Sequence, residues 1–356
     1  MTSSPATEQR KKNLSFMKTF SITVSLVFLI AVMNISLQIY GIKTISNDPN
    51  IQPTKDSFNL ANEQSFGFFN DISNENWQKL QEIVAVHYNH KYMEKPLTHN
   101  PAYDKRRMKY FNSHPAWWQT NFEPNFSCQF ERRIGFPNGN GDGPKWICDP
   151  HRIKRLAQER KAKNATHPGC VVYSIGSNGD FSFEAGLEEE VGPGVCEFHI
   201  FDMKNYTDKM LQYNISRAHF HQWGLKKQDW DADIKPNQTF YGMRDTMQLL
   251  GHEGLDVIDI FKIDCESCEW STFKDWLGEG IPALMQIQVE LHKAKPEAIE
   301  LFEFLEEQGG YVRFHKEPNI QFNDGSCIEY ALLKLDQDFF EPRKKMIIER
   351  NLTRKD

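Results

Sequence analysis

Between Cys170 and Phe181 an apolar strand, Cys170 to Ile175, empties into the turn Gly176-Ser177-Asn178-Gly179, and a helix should open at Asp180 or Phe181. A strand, a glycine-bearing turn and a helix in that order are how a Rossmann-type sheet approaches a nucleotide-like ligand. The glycines admit close backbone contact, and the helix start offers free N–H groups and a positive end. A second apolar run, Glu197 to Phe201, ends at Asp202. It lies roughly 20 residues on, the separation at which such folds set a carboxylate on ribose hydroxyls. The plainer readings are an ordinary tight turn and an Asp that caps the next helix.

From Cys170 onward strands and helices alternate, which predicts an α/β layer structure with helices on both faces. The strands read as Cys170 to Ile175, Glu197 to Phe201, a short one near Ala218 to Trp223, Val257 to Ile263, Met285 to Leu291, Tyr311 to His315 and Ile328 to Leu335. Between the fifth and sixth, Pro296 to Gln308 carries Ala298, Leu301, Phe302 and Leu305 on one face, and Gly309-Gly310 should end that helix. Only a loop separates the last two strands, so they should pair antiparallel. The expectation is a Rossmann-like, seven-stranded, mostly parallel sheet with an antiparallel last strand.

The N-terminal part has another character. Phe20 to Ile42 is apolar except for Asn34 and Gln38, about the length that crosses ~30 Å of hydrocarbon as a helix. Arg10, Lys11, Lys12 and Lys18 precede it and only Lys43 follows closely, which predicts a cytoplasmic N-terminus and a lumenal or extracellular remainder, a type II arrangement. A cleaved signal sequence is the rival reading. Residues 43 to 75 are polar and aperiodic, as a stem would be. Leu80, Ile83, Val84, His87 and Tyr88 recur at helical spacing in Trp77 to Tyr92, which predicts an amphipathic helix packed on the domain or a free stalk helix. The layout is then a tail over 1–19, a transmembrane helix over 20–42, a stem over 43–75, a helical and loop region over 76–168, the α/β domain over 169–336 and a tail over 337–356.

Acceptor sequons at Asn125, Asn164, Asn205, Asn214, Asn237 and Asn351 fit a secretory lumen of the endoplasmic reticulum or Golgi. All 7 cysteines lie beyond the apolar span, where disulfides can form with at least one thiol left over. Cys170 and Cys196 precede Gly176 and Asp202 by equal offsets on strands expected to be neighbours, which predicts a disulfide or a packed thiol pair. For Cys128 and Cys148, flanking a turn-rich loop, a disulfide and two thiols fit equally. A net charge of −6 and the lack of a basic stripe argue against a nucleic-acid surface.

Further candidate chemistry sits at two strand ends. Phe261-Lys262-Ile263-Asp264-Cys265-Glu266 brings Asp264 and Glu266 to the sheet's carboxyl edge, to orient a cofactor ammonium or act on substrate, or only to cap and pair with Lys262. Glu290 and His292 alternate onto one side of the fifth strand, where a His beside a Glu can serve as a general base or be held structurally. No recognised ligand spacing among these acids demands a metal. Cys265-Glu266-Ser267-Cys268 has the redox C-x-x-C form but follows no thioredoxin-like strand order, so redox catalysis is not expected.

Together, Ser174 to Glu184, Glu197 to Asp202, Phe261 to Trp270, Gln288 to His292 and Arg313 to Lys316 resemble the class I S-adenosylmethionine-dependent methyltransferases. The likeness runs from about Cys128 to Leu335, with Gly141 to Pro150 similar to the methyltransferase-like protein 24 group. The resemblance implies S-adenosyl-L-methionine as cofactor, with Gly176, Asn178 and Gly179 around its methionine moiety and Asp202 on its ribose. Ser174, Asp180, Phe181 and Asp264 complete the expected binding set, and Glu266, Glu290 and His292 the catalytic one. Ser174 stands where many class I enzymes place an acid, Asn178 replaces a middle glycine, and Cys265 and Cys268 depart from the usual aliphatic and small residues. The expected activity is methylation of an oxygen on a lumenal small-molecule, glycan or protein acceptor. The rivals are a type II glycosyltransferase using the Asp-x-Asp form in Asp229-Trp230-Asp231-Ala232-Asp233, and an inactive binding protein on the same fold.

Overall fold

A computed structural model describes residues 59–85, 115, 118–119, 121–136, 143–228, 239–293, 297–320 and 325–341. The expected cytoplasmic tail, the transmembrane helix over 20–42, the Asp-x-Asp segment and the sequons at Asn237 and Asn351 lie outside them. No helix among the described residues is long and apolar enough to cross a membrane.

Among the described residues eleven strands run β1 Arg132–Ile134, β2 Lys145–Ile147, β3 Cys170–Ile175, β4 Cys196–Phe201, β5 Ala218–His221, β6 Gly224–Leu225, β7 Phe240–Tyr241, β8 Val257–Ile263, β9 Ala283–His292, β10 Tyr311–Pro318 and β11 Cys327–Lys334. The helices that matter are α1 Leu60–Gln64, α2 over 74–85, α3 Pro150–Lys163, α4 Ser182–Val191, α5 Met243–Leu250, α6 Glu269–Thr272 and α7 Glu297–Glu303. Seven strands form one sheet in the order β10-β11-β9-β8-β3-β4-β5. β11 runs antiparallel to both neighbours while the β9, β8, β3, β4 and β5 pairings are all parallel. The last strand is therefore antiparallel, as expected, and it fills the slot between β9 and β10 rather than the sheet's edge.

The strands at the middle are buried on both sides, which is why they read as continuous apolar runs rather than alternating ones: every residue of β3 is buried. On one face Ile153, Leu156, Leu187 and Val191 of α3 and α4 meet Val172 and Phe198. On the other Met243, Met247, Trp276 and Leu301 meet Tyr173 and Phe261. Helix α3 starts with Pro150 and carries Arg160, Lys161 and Lys163 in its last turn, where a proline costs no hydrogen bond and cations meet the negative end of the helix. Helix α7 continues into a wider turn over Phe304–Gln308, and Gly310 takes a left-handed φ of 69° beyond it.

Cys170 and Cys196 are register partners and form a disulfide, and Cys128 pairs with Cys148. Cys265 and Cys268 are also bonded, leaving Cys327 as the free thiol. The stem and the C-terminal tail need correction. Polar composition suggests a stem to 75, yet α1 begins at Leu60, and Phe68 and Phe69 are 2% and 1% exposed. Phe69, Trp77, Phe126 and Phe339 pack ring against ring, with Trp77 Nε1 donating to Gln64 Oε1 at 2.7 Å. A few aromatics in a polar run suffice when the partners come from distant chain, so residues 59–75 and 337–341 belong to the domain.

Removing a buried phenylalanine leaves a cavity that costs about 3–5 kcal/mol. Phe69→Ala should therefore lower the midpoint of thermal unfolding by several degrees, and an unchanged midpoint would restore the stem reading of 59–75.

Candidate active site

Chain order reverses at the middle of the sheet: β3 leads outward to β4 and β5, and the chain then returns to β8 on the other side of β3. Ligands of open α/β sheets bind where the carboxyl ends of such strands part. Gly176 makes the parting close. Its φ is +77°, and a Cβ there would lie 1.7 Å from the Asp264 carbonyl oxygen, so no other residue fits without moving β8. Asp264 N donates to Ile175 O at 3.0 Å and Lys262 Nζ to Gly176 O at 2.6 Å, locking the two strand ends together.

The rest of the turn is held by Asp202. Asn178 and Gly179 have φ of 46° and 73°. Asp202 Oδ2 accepts from Asn178 N at 2.8 Å, and Oδ1 from Lys204 N at 2.9 Å. A carboxylate has about four acceptor positions. Two are spent on the backbone, and two remain for a ligand diol.

The expected binding set divides on inspection. Gly176, Asn178, Asp180, Asp202 and Asp264 line one cavity of about 700 Å³, together with Glu266, Glu290 and His292. Ser174, Gly179 and Phe181 do not line it. Phe181 is fully buried, its ring against Tyr213 and Phe220, because it begins the core face of α4. Gly179 lies against the Tyr206 ring, which a Cβ would approach to 2.8 Å. Ser174 is also fully buried and donates its hydroxyl to Glu184 Oε1.

Glu184 is a site residue that the strand-by-strand reading misses. It projects from α4 into the cavity floor, is 1% exposed, and its Oε2 has no hydrogen-bond partner. Burial pushes its carboxyl upward, against Lys262 and the Ser174 hydroxyl. The acid missing at Ser174 is thus supplied one helix turn into the next element. The helical spacing of Glu184 among apolar Phe183 and Leu187 was the available signal.

At the other end of the cavity carboxylates gather around one buried cation. Lys145 of β2, 1% exposed on its side chain, donates to Glu329 at 2.6 Å and stands 3.5 Å from Asp264. Burial raises the Asp264 carboxyl, but Lys145, Lys262 and His292 outweigh it and hold the group below the usual range. Glu290 is pushed up to about 9 by burial and by Glu329 and Asp264, and it accepts from Asn319 Nδ2 at 3.0 Å. His292 is raised to about 9: burial lowers it, yet Glu269, fully buried, takes both its N–H and its Nδ1 at 2.9 and 3.1 Å. At neutral pH Glu290 is therefore protonated and His292 is an imidazolium. The expected general-base role is reversed for both, because sequence alternation places them on one side without showing the acids that surround them. Glu266 is the accessible acid, its Oε2 3.6 Å from His292 Nε2 and its side chain 91% exposed. The Cys265–Cys268 disulfide closes the loop carrying Glu266, whose φ of 55° and that of Ser267 at 92° are left-handed. It borders the cavity as a brace, and no thioredoxin-like context surrounds it.

A family described as "Methyltransferase domain" matches residues 59–334. Methyltransferase-like protein 24 of Rattus norvegicus is 26% identical over 172 residues, which is 48% of this chain and 43% of that protein, so the match spans less than half of the relative. Among solved structures, a candidate rRNA-methylase of Clostridium thermocellum is 14% identical with a TM-score of 0.31, covering 51% of this chain and 96% of its own. A candidate RNA methyltransferase of Pyrococcus horikoshii is 13% identical with a TM-score of 0.27, covering 57% and 94%.

Both raised groups bind protons more tightly in the folded chain than in the unfolded one, where ordinary values are 4.5 for Glu290 and 6.5 for His292. Stability falls with rising pH wherever the folded state holds more protons. The His292 contribution is fully present below 6.5 and is lost through about 9, and the Glu290 carboxyl adds a decline from 4.5 toward about 9. Thermal midpoints measured between those limits should fall as pH rises, with a shallower slope in Glu290→Gln. A flat native profile would contradict the protonation states given.

Proposed function

The chain belongs to the methyltransferase-domain family, matched over residues 59–334, and from this we propose that it binds S-adenosyl-L-methionine in the crevice and moves its methyl group to an acceptor oxygen. The observation that supports this most directly is one cavity that holds the glycine turn and Asp202 at one end and Asp264, Glu266, Glu290 and His292 at the other. Its volume of about 700 Å³ falls in the range of cofactor sites. The donor set also suits the cofactor: two unspent acceptor positions on Asp202 for a ribose diol, and the unpartnered Glu184 Oε2 with Asp264 for an ammonium group.

When bound, the cofactor supplies a methyl group on a sulfonium, an electrophile that needs alignment more than activation. The chain's own part is orientation. His292, fixed by Glu269, presents Nε2–H to the acceptor oxygen from the side where Asp264 and Glu266 stand at 3.8 and 3.6 Å. Glu266, open to solvent, takes the acceptor's proton as the new bond forms. Glu290, protonated, keeps a further negative charge out of a pocket that already contains Asp264.

Calorimetry on the full chain with S-adenosyl-L-methionine and its demethylated product tests this reading. Asp202→Ala should weaken binding about 10–100-fold, the loss expected for hydrogen bonds to a charged group. His292→Gln should lower transfer of a labelled methyl group into lumenal extract more than it lowers cofactor affinity. No binding by the native chain, or binding of a UDP-sugar instead, would defeat the proposal. Binding without transfer to any acceptor would favour the inactive alternative.

We place the domain in the secretory lumen, anchored through residues 20–42 in type II orientation. The paired cysteines support this, since such bonds persist in oxidising compartments. Asn164, Asn205 and Asn214 are exposed, whereas Asn125 is 5% exposed with Oδ1 accepting from Arg313 N at 2.8 Å. Expressed with microsomes, the chain should carry glycans at those three exposed positions and none at Asn125. An unglycosylated chain that added protease digests would exclude lumenal placement.

A further inference from the structure

Away from the crevice, the sheet face beneath α5 carries a group of imidazoles that the methyltransferase reading does not use. Glu197 and His199 share one side of β4, and His219 and His221 the same side of β5, with His199 and His219 in register. Tyr173 of β3 and His252, just past α5, complete the group. His199 is 5% exposed, and its Nε2 makes no hydrogen bond although Glu197 Oε1 lies 3.3 Å away. One ring nitrogen each of His199 and His252 and one carboxylate oxygen of Glu197 lie within 4.8 Å of one another.

The remaining atoms of these side chains are already engaged. His199 Nδ1 shares a hydrogen bond with His221 Nε2 at 3.0 Å, and His252 Nδ1 shares one with the Tyr173 hydroxyl at 2.7 Å. Arg217 donates to Glu197 Oε2 at 2.6 Å, leaving Oε1 for the cluster. A metal-bound histidine is held in just this manner, its second nitrogen fixed by an outer partner. Zinc–ligand bonds of about 2.0–2.1 Å in a tetrahedron set neighbouring donors roughly 3.3 Å apart, the separation of Glu197 Oε1 from His199 Nε2. A purely hydrogen-bonded core would have given His199 Nε2 a donor or acceptor.

We propose that Glu197, His199 and His252 bind one divalent transition-metal ion of the zinc class. Two imidazoles and a carboxylate suit such an ion and not magnesium or calcium, which take oxygen ligands. His219, whose side chain is 51% exposed and whose Nε2 lies 3.6 Å from Glu197 Oε1, borders the cluster on its solvent side. Bound there, the ion links β4 to the segment after α5 and stabilises the folded chain by mass action. The site is separate from the crevice and stands whether or not methyl transfer occurs.

The full chain, stripped with chelator and dialysed against Zn²⁺, should take up one equivalent and unfold at a higher temperature. Glu197→Gln and His252→Gln should each lower Zn²⁺ affinity at least tenfold. X-ray absorption on the native chain loaded with Zn²⁺ should give only nitrogen and oxygen neighbours with imidazole scattering, a reading that holds even if a variant fails to fold. No uptake by the native chain would overturn the proposal, as would unchanged affinity in folded variants. A sulfur neighbour would overturn it too, by placing the ion at Glu290, His292 and Cys327.

Discussion

The crevice depends on one close approach, that of the Gly176 backbone to the end of β8. With a Cβ the turn would overlap the Asp264 carbonyl, so the absence of a side chain at this one position sets how near β3 and β8 come at their carboxyl ends. That proximity lets Lys262 reach the Gly176 carbonyl and brings Asp264 beside the turn. Asp202 then closes the other side by accepting from the Asn178 N–H. Three strands are thereby fixed around one opening by a close backbone approach and two side-chain hydrogen bonds to the backbone. Pre-organisation of this kind keeps the ordering cost of binding low.

The second constraint is electrostatic. Asp264, Glu269, Glu290 and Glu329 cluster around Lys145 and His292, and the interior cannot hold all of these acids as anions. Protonating Glu290 resolves part of the conflict, and the imidazolium of His292 resolves the rest by pairing with Glu269. The cation that anchors the group, Lys145, comes from a two-stranded ribbon outside the main sheet. The β1–β2 ribbon therefore contributes to the charge state of the cavity, and the Cys128–Cys148 disulfide ties the two ends of that ribbon together.

The α/β character, the strand positions and the antiparallel return of the last strand were legible because buried parallel strands are short apolar runs bounded by turn residues. Ends differ by one to three residues, as at β9, where Ala283 and His292 extend the run read from Met285 to Leu291, and at β10, which runs on to Pro318. The Cys170–Cys196 bond was legible as well, since equal offsets from two landmarks on neighbouring strands fix the register. What sequence order hides is contact between distant segments. Nothing local to Phe68 and Phe69 announces Phe126 and Phe339 as partners, and nothing near His292 announces Glu269 as the carboxylate that keeps it protonated. Phe181 belongs to the binding set that the resemblance implies, but the helix it begins rotates its ring into the core.

The exchange at Ser174 shows how an apparent departure from a pattern can leave the chemistry in place. A strand-end acid would present its charge to the crevice from β3, and Ser174 cannot. Glu184 can, because α4 packs on β3 and brings its first turn over the same spot, where the Ser174 hydroxyl supplies a hydrogen bond to one carboxylate oxygen and leaves the other, buried beside the cavity, without a partner. Burial raises the Glu184 carboxyl, so its negative charge is costly until a cation arrives. A ligand ammonium would supply that cation, with Lys262 nearby already spent on the Gly176 carbonyl. The charge requirement of the floor is met by a residue one element away, and it is the geometry of helix on strand, rather than the identity of the strand residue, that carries it.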